Sequence, residues 1–212
     1  MFHDMEVRNC KPNESYENKK SAKRVWLTGD EQETLLSHAR KRERISIGLM
    51  LHGGLRSKEV PEVTLNKINP TTTADGTKMA VVDLREGKDT RGYGGSSRKT
   101  IIPHEFYSDL TFFTDMKGIS DNESIVDVTP RTVKRDVKSA VERVAEDTGN
   151  DDWLDVSAHD LRRSWGHTLL VRKNINPQKL MALGGWNDMS TMMRYISVPT
   201  EEELTEEYAR VL

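Results

Sequence analysis

The chain contains only one cysteine, Cys10, and no long apolar run. A single cysteine excludes an internal disulfide framework and fits a reducing, cytoplasmic setting. No apolar run approaches the roughly 18 residues of a membrane-spanning helix, and the polar N-terminus lacks the apolar segment of a secretory signal, so we expect no membrane partner. With 35% hydrophobic and 31% charged residues in 212, the composition favours one soluble, helix-rich domain.

The sequence also carries little net charge, which is −2 overall. Residues 200–212 hold five glutamates and one arginine, a net of −4, so the rest of the chain is at about +2. This balance excludes a general positive field of the kind that attracts nucleic acids from every side. Any DNA binding would therefore depend on local clusters of arginine and lysine.

The pattern of polar and apolar residues divides the chain into an arm and a domain. Residues 1–23 are polar and show no periodicity, so we expect a flexible N-terminal arm before one domain over residues 24–212. Short β-branched runs predict strands at residues 63–65, 81–84 and 100–102. Caps and apolar spacing predict helices near residues 29–39, 45–52, 130–148, 157–172, 177–184, 189–195 and 200–212. We therefore expect an α+β, mainly helical fold with a small antiparallel three-stranded sheet.

The last predicted helix, about residues 200–212, has one apolar face. Thr200 and Glu203 form a capping-box pair at its start, and Leu204, Tyr208 and Val211 follow at helical spacing. This stripe can dock on its own domain or on a partner.

Two arginines far apart in the sequence suggest a site that handles phosphate. Arg56 follows the helix end at Gly53-Gly54, and Arg162 lies in the segment His159-Asp160-Leu161-Arg162. The sequence has no acidic cluster with Mg²⁺-like spacing, so we expect no metal and no cofactor, and side chains must neutralise the phosphate charge. A planar guanidinium suits this task because it donates two hydrogen bonds and stays charged.

Four further residues complete a candidate active site for metal-independent phosphodiester cleavage. His159 lies three residues before Arg162, so a helix places both on one face, and histidine exchanges protons near neutral pH. Lys88 can protonate a leaving oxygen, and the indole N–H of Trp186 can only donate to a phosphate oxygen. Tyr195 is the candidate nucleophile, because a tyrosine hydroxyl becomes reactive when a base and cations lie nearby.

Several of these positions have alternatives. Considered alone, Arg56 is interpreted as a solvated loop residue, Trp186 as a core aromatic and Tyr195 as a packed helix residue. Lys99 is the second candidate for the catalytic lysine, and Glu59 reads as a buried carboxylate that orients its neighbours. The face formed by Arg131, Lys134 and Arg135 can contact DNA phosphates or simply be solvated.

The order and flanks of these residues resemble the tyrosine recombinase family, also called phage integrases. The resemblance covers residues 24–212. Within the family, the sequence is similar to the Cre-like branch, in which Trp replaces the commoner second His. The resemblance rests on an Arg box with Glu three residues later, a β-hairpin lysine, a His-x-x-Arg box, and Leu183-Gly184-Gly185-Trp186 followed by Tyr195-Ile196.

This resemblance implies the catalytic-domain fold of the family and its chemistry on double-stranded DNA. Tyr195 would form a 3′-phosphotyrosyl bond during integration, excision or resolution of a mobile element or replicon. A monomer in solution and a tetramer on paired DNA sites are implied. The sequence shows no counterpart of the usual N-terminal DNA-clamping domain, which is about a hundred residues long. We therefore expect either a truncated form or a short natural form that relies on its catalytic domain or on an accessory DNA-binding protein.

Two rival functions remain. One is a type IB topoisomerase or telomere resolvase, which shares the chemistry without exchanging partner strands. The other is a DNA-binding regulator that keeps a decayed recombinase fold and has no need of Tyr195.

Overall fold

The computed structural model describes residues 6–9, 23–84, 97–196 and 201–209. Its first two strands, β1 (Glu6–Asn9) and β2 (Lys23–Trp26), pair antiparallel with Glu6 opposite Trp26. The prediction of an unstructured arm is therefore wrong over residues 6–9, where backbone pairing with β2 forms a strand in a segment that has no apolar pattern. The rest of the arm lies outside the described residues, so the domain boundary near residue 23 stays a prediction.

Helices α1 (Gly29–His38) and α2 (Lys41–Gly53) confirm the predicted caps. The hydroxyl of Thr28 accepts from the backbone N–H of Glu31, whose carboxylate accepts from the N–H of Thr28, which is a complete capping box. Helix α2 ends at Gly54, which has a φ of 62°. A Cβ at this glycine would collide with the Trp165 ring, so both backbone conformation and space require glycine there.

The second sheet is antiparallel and has the order β3 (Ile68–Thr72), β4 (Lys78–Leu84) and β5 (Arg98–Pro103). The predicted strands at 81–84 and 100–102 are confirmed within β4 and β5. The prediction of a strand at 63–65 is wrong, because two 3₁₀ turns flank Val63 and its side chain is buried in the core. β-Branched residues in this segment thus serve burial, whereas the edge strand β3 contains a proline, which an edge position tolerates.

The next two helices both pack on α2, and the first of them also packs on the sheet. The sequence did not predict α3 (His104–Lys117), although its buried Phe106, Leu110 and Phe113 have helical spacing. Helix α4 (Pro130–Thr148) is confirmed, including the Thr129 cap and the Gly149 end. Its valines face the larger of two hydrophobic clusters, which runs from Val25 to Leu161.

The remaining helices carry most of the candidate site. They are α5 (Ala158–His167) with a π-helical turn at Thr168–Arg172, α6 (Pro177–Gly184), α7 (Met189–Met193) and α8 (Glu201–Ala209). A smaller hydrophobic cluster, made of Trp165, Leu180, Trp186 and Met192, lies among them. In α8, Leu204 and Tyr208 are exposed, while Thr200 and Val211 lie outside the described residues, so the capping box stays a prediction.

Candidate active site

Helix α5 and the C-terminal ends of three other helices bring the candidate residues together. Arg56 follows the C-terminal end of α2, and Trp186 follows the C-terminal end of α6. His159 and Arg162 lie on α5, and Tyr195 comes two residues after α7. The site is therefore assembled from four separate stretches of chain.

Arg162 is completely buried, and backbone carbonyls hold its guanidinium in place. It donates one hydrogen bond to the carbonyl of Gly54 and another to the carbonyl of Gly184. These carbonyls lie at the C-terminal ends of α2 and α6, where the helix dipoles favour a cation. Burial, together with the charges of Arg56 and Arg98, lowers the pKa of Arg162 to about 9, so the group is still protonated near neutral pH.

Arg56 is half-buried and is oriented by Glu59. Its Nη1 donates to Oε1 of Glu59 at 2.6 Å, and its backbone N–H donates to Oε2 at 2.7 Å. Its Nη2 lies 3.4 Å from the carbonyl oxygen of Gly185. The side chain is thus restrained next to Arg162, with which it shares the C-terminal end of α6.

Glu59 also binds a third arginine, Arg98, that the sequence did not single out. Oε2 of Glu59 accepts from Nη2 of Arg98 at 2.7 Å, and both side chains are about 95% buried. Burial alone would raise the pKa of Glu59, but the guanidiniums of Arg98 and Arg56 and the N–H of Arg56 lower it below its usual value. Glu59 is therefore a charged bridge between two arginines.

Arg98 further donates to the carbonyls of Leu183 and Gly54. In the sequence, Arg98 lies between Arg91 and Lys99, and no neighbouring residue indicates that its side chain is buried. The signal that could have found it is the alternation of strand β5, in which Arg98, Thr100 and Ile102 all face inward.

Three rings surround the Arg162 guanidinium. Its Cζ lies 4.7 Å from the centre of the Trp186 ring, 5.6 Å from that of Tyr195 and 5.9 Å from that of Trp165. The Tyr195 ring is 4.9 Å from Trp186 and 5.0 Å from His159, measured between ring centres. The phenol and the imidazole are therefore close neighbours beside a buried cation.

Two buried donors at this position have no hydrogen-bond partner among the residues that the structure describes. They are Nε1 of Trp186 and Nε of Arg162. Buried N–H groups are normally satisfied, and these two can only donate. An oxyanion bound beside Tyr195 would supply the acceptors that they lack.

His159 is neutral at physiological pH. Partial desolvation of its ring, followed by the charge of Arg163, lowers the pKa of His159 to about 4, although the residue as a whole is exposed. A neutral imidazole can accept a proton, so the arrangement provides a base next to the Tyr195 ring.

The other predicted residues are not brought to this cluster or cannot be placed. Lys88 lies outside the described residues. Lys99 is on the outward side of β5, with its Nζ 3.5 Å from the carboxylate of Asp83 and its side chain 71% exposed. The basic residues of α4 are also exposed; they are Arg131, Lys134 and Arg135.

The portion of the chain that the structure describes contains neither a group of metal-binding residues nor a membrane-spanning helix. No group of three or more His, Cys, Asp or Glu residues there could hold a metal ion. Among the described helices, none combines the length and apolar character needed to cross a bilayer.

The profile of the phage integrase family matches residues 25–202, which is most of the chain. The chain belongs to the phage integrase family. This confirms the resemblance drawn from the Arg56, His159–Arg162 and Tyr195 motifs. No curated protein sequence matches this chain.

Solved structures of recombinases share the fold of this chain. A XerA recombinase has 19% identity and a TM-score of 0.64, covering 88% of this chain and 64% of its own. The Tn1549 transposon integrase, in complex with transposon right end DNA, has 17% identity and a TM-score of 0.60, covering 88% and 65%. A lambda integrase dimer bound to a COC′ core site has 17% identity and a TM-score of 0.53, covering 84% and 49%. The chain thus spans less than two thirds of each of these proteins, and the predicted α+β, mainly helical catalytic-domain fold is confirmed.

Proposed function

We propose that the chain is the catalytic part of a site-specific DNA recombinase in which Tyr195 becomes covalently joined to DNA. The observation that carries the proposal is the convergence of Arg56, Arg162, Trp186 and His159 around this tyrosine. Residues 24–212 would form the catalytic domain, and residues 1–23 would precede it as an N-terminal arm.

The arginines would bind the phosphate that is cleaved. Arg56 and Arg162 donate to its two non-bridging oxygens, and Nε1 of Trp186 supplies a further donor. Because these groups are already fixed by backbone carbonyls and by Glu59, little reorganisation is needed when charge develops on the oxygens. A single preorganised donor of this kind typically contributes about 10²-fold to 10³-fold in rate.

The bond changes follow from the position of the phenol. The hydroxyl oxygen of Tyr195 forms a bond to phosphorus while its proton passes to the neutral imidazole of His159. The bond from phosphorus to the 5′ oxygen breaks, and this oxygen leaves as a hydroxyl after accepting a proton, for which Lys88 is the proposed donor. The 5′-hydroxyl of a partner strand can reverse these steps, so neither ATP nor a metal takes part in the proposed reaction.

The partners of the protein belong to the same proposal. We expect double-stranded DNA as the substrate, a monomer in solution and a tetramer on paired DNA sites. An accessory DNA-binding protein is expected to help with site binding, and a cytoplasmic location fits the single cysteine.

Covalent capture on nicked DNA tests the nucleophile. The protein is incubated with a pool of nicked duplexes that carry randomised sequence around the nick, and a denaturing gel is used to detect a slowly migrating protein–DNA adduct. We expect the adduct with the unchanged protein and with Tyr107→Phe, a matched change on α3, and none with Tyr195→Phe. An adduct formed by Tyr195→Phe would show that another residue is the nucleophile.

The same captured DNA separates the rival functions. Sequencing it supplies a site, and a substrate with two such sites is expected to exchange strands. Relaxation of supercoiled DNA without exchange would indicate a topoisomerase-like enzyme. DNA binding without any adduct would indicate a regulator.

A further inference from the structure

Strand β2 connects the helix that carries two candidate catalytic residues with the segment that carries Tyr195. The N–H of Val25 donates to Oδ1 of Asp160 at 3.1 Å, and the N–H of Leu27 donates to Oγ of Ser164 at 2.8 Å. Both acceptors lie on α5, next to His159 and Arg162 in sequence. The strand is therefore fixed to the helix by hydrogen bonds on alternate residues.

Between these two contacts, Trp26 reaches in a different direction. Its Nε1 donates to the carbonyl oxygen of Tyr195 at 2.8 Å, across 169 positions of sequence. Trp26 is 5% exposed and the hydrogen bond is partly buried, so leaving this donor unbonded would be costly. Arg24 adds a longer contact of 3.5 Å from Nη1 to the carbonyl oxygen of Arg194.

The segment that Trp26 holds has little support of its own. Helix α7 has five residues, and of these only Met192 is buried, while Met189 and Met193 are 44% and 50% exposed. The N–H of Tyr195 bonds to the carbonyl of Met192 at 2.8 Å, which is a contact within the same short segment. A hydrogen bond from a buried strand therefore adds a restraint that the local structure does not provide.

We infer that Trp26 is a positioning residue that fixes the backbone of Tyr195 relative to α5. The inference rests on the proposed function, because the position of Tyr195 matters only if its hydroxyl attacks phosphate. By holding the carbonyl of residue 195, the indole N–H sets the distance between the phenol and the groups on α5. Trp26 touches neither DNA nor the reacting atoms in this role.

Replacing Trp26 with Phe removes the N–H donor and keeps an aromatic ring in the same place. We expect the single-turnover rate of adduct formation at saturating nicked DNA to fall about 10-fold, since small misplacement of a reacting group can cost up to about 10²-fold. The dissociation constant for the same DNA is expected to change less than about 2-fold, because the phosphate-binding arginines keep their partners. A loss of packing alone would not produce this split.

Trp153→Phe provides the matched control. Trp153 is also buried, at 4% exposure, but belongs to the larger hydrophobic cluster away from Tyr195. We expect this variant to lose thermal stability to a similar extent as Trp26→Phe, while its rate at saturating DNA stays unchanged. A rate loss of equal size in both variants would mean that the effect is general destabilisation, and the inference would be overturned.

A second substitution keeps the test decisive if Trp26→Phe folds poorly. Benzothienylalanine at position 26 retains the two-ring shape and replaces the N–H with sulfur. We expect it to lower the rate as Trp26→Phe does, and a rate equal to that of the unchanged protein would overturn the inference. If Tyr195→Phe still forms the adduct, it is the proposed function that fails instead.

Discussion

The larger hydrophobic cluster contains residues from Val25 to Leu161, whereas the smaller one consists of Trp165, Leu180, Trp186 and Met192 with a few half-buried neighbours. The larger cluster supports the ends of α2 and β5, and thereby Arg56, Glu59 and Arg98. The smaller cluster supports Trp186 and Tyr195. The arginines proposed to bind phosphate thus rest on an extensive core, and the proposed nucleophile rests on a small one.

Arg162 joins the two regions. Its guanidinium donates to Gly54 at the end of α2 and to Gly184 at the end of α6, and it lies 4.7 Å from the centre of the Trp186 ring. The site therefore separates the groups proposed to bind phosphate from the group proposed to attack it. Charge is held rigidly, while the attacking group is placed by fewer contacts, including the one from Trp26.

The largest effect on activity is expected from removing the cation that joins the regions. Arg162→Ala should lower the rate of adduct formation by about 10³-fold, because a preorganised donor to the phosphate is lost. The two glycine carbonyls also lose their donor, so thermal stability should fall. Single-turnover rates and melting temperatures check this, and a variant within about 10-fold of the normal rate would place Arg162 outside the active site.

In the larger region, the ion pairs of Glu59 should make a large contribution to the free energy of unfolding. Glu59→Gln leaves Arg56 and Arg98 without their carboxylate in a buried setting, so we expect a loss of about 3 kcal/mol in the free energy of unfolding. The matched control is Glu142→Gln, since Glu142 pairs with Lys138 on the exposed face of α4 and should cost under about 0.5 kcal/mol. Urea unfolding measures both, and equal losses would contradict a structural role for Glu59.

The free energy of unfolding should depend on pH through His159, whose ring lies beside that of Tyr195. Its pKa is lowered from 6.5 to about 4 in the folded protein, so the unfolded chain binds the proton more tightly. The resulting stabilisation is complete above about pH 6.5 and is lost as the pH falls towards 4. Unfolding curves over this range should show a smaller acid loss for His159→Gln than for the unchanged protein, and parallel curves would contradict the shifted pKa.

The smallest effect is expected on the exposed face of α4. If this face contacts DNA, Lys134→Ala should weaken binding of all sequences alike and reduce the slope of log affinity against log salt by about 1. Lys117→Ala on α3 is the control and should leave the slope unchanged. Identical slopes for the two variants would mean that the α4 face is only solvated.

Much of this architecture could be predicted from local sequence, because helix ends depend on neighbouring residues. Thr28 and Thr129 cap helices through their own side chains, and Gly54 ends α2 with a positive φ. The strand predicted at 63–65 was wrong because burial selects the same β-branched residues as a strand does. Local propensity cannot separate these two causes.

The candidate site was predicted only in part, because local sequence does not show which residues meet in the fold. The types and order of Arg56, His159, Arg162, Trp186 and Tyr195 indicate phosphate chemistry, and the structure brings these five together. The buried arginine of β5 was missed because its importance depends on a meeting with Glu59 that only the tertiary fold creates. The contact between Trp26 and Tyr195 spans nearly the whole chain and leaves no local pattern either.

Mass spectrometry of the DNA-linked peptide tests the central claim most directly. The adduct formed on nicked DNA is digested with nuclease and protease, and the peptide that retains a nucleotide is sequenced. We expect a nucleotide 3′-phosphate linked to the hydroxyl oxygen of Tyr195. A nucleotide attached to any other residue, or joined through its 5′-phosphate, would contradict this account of the site.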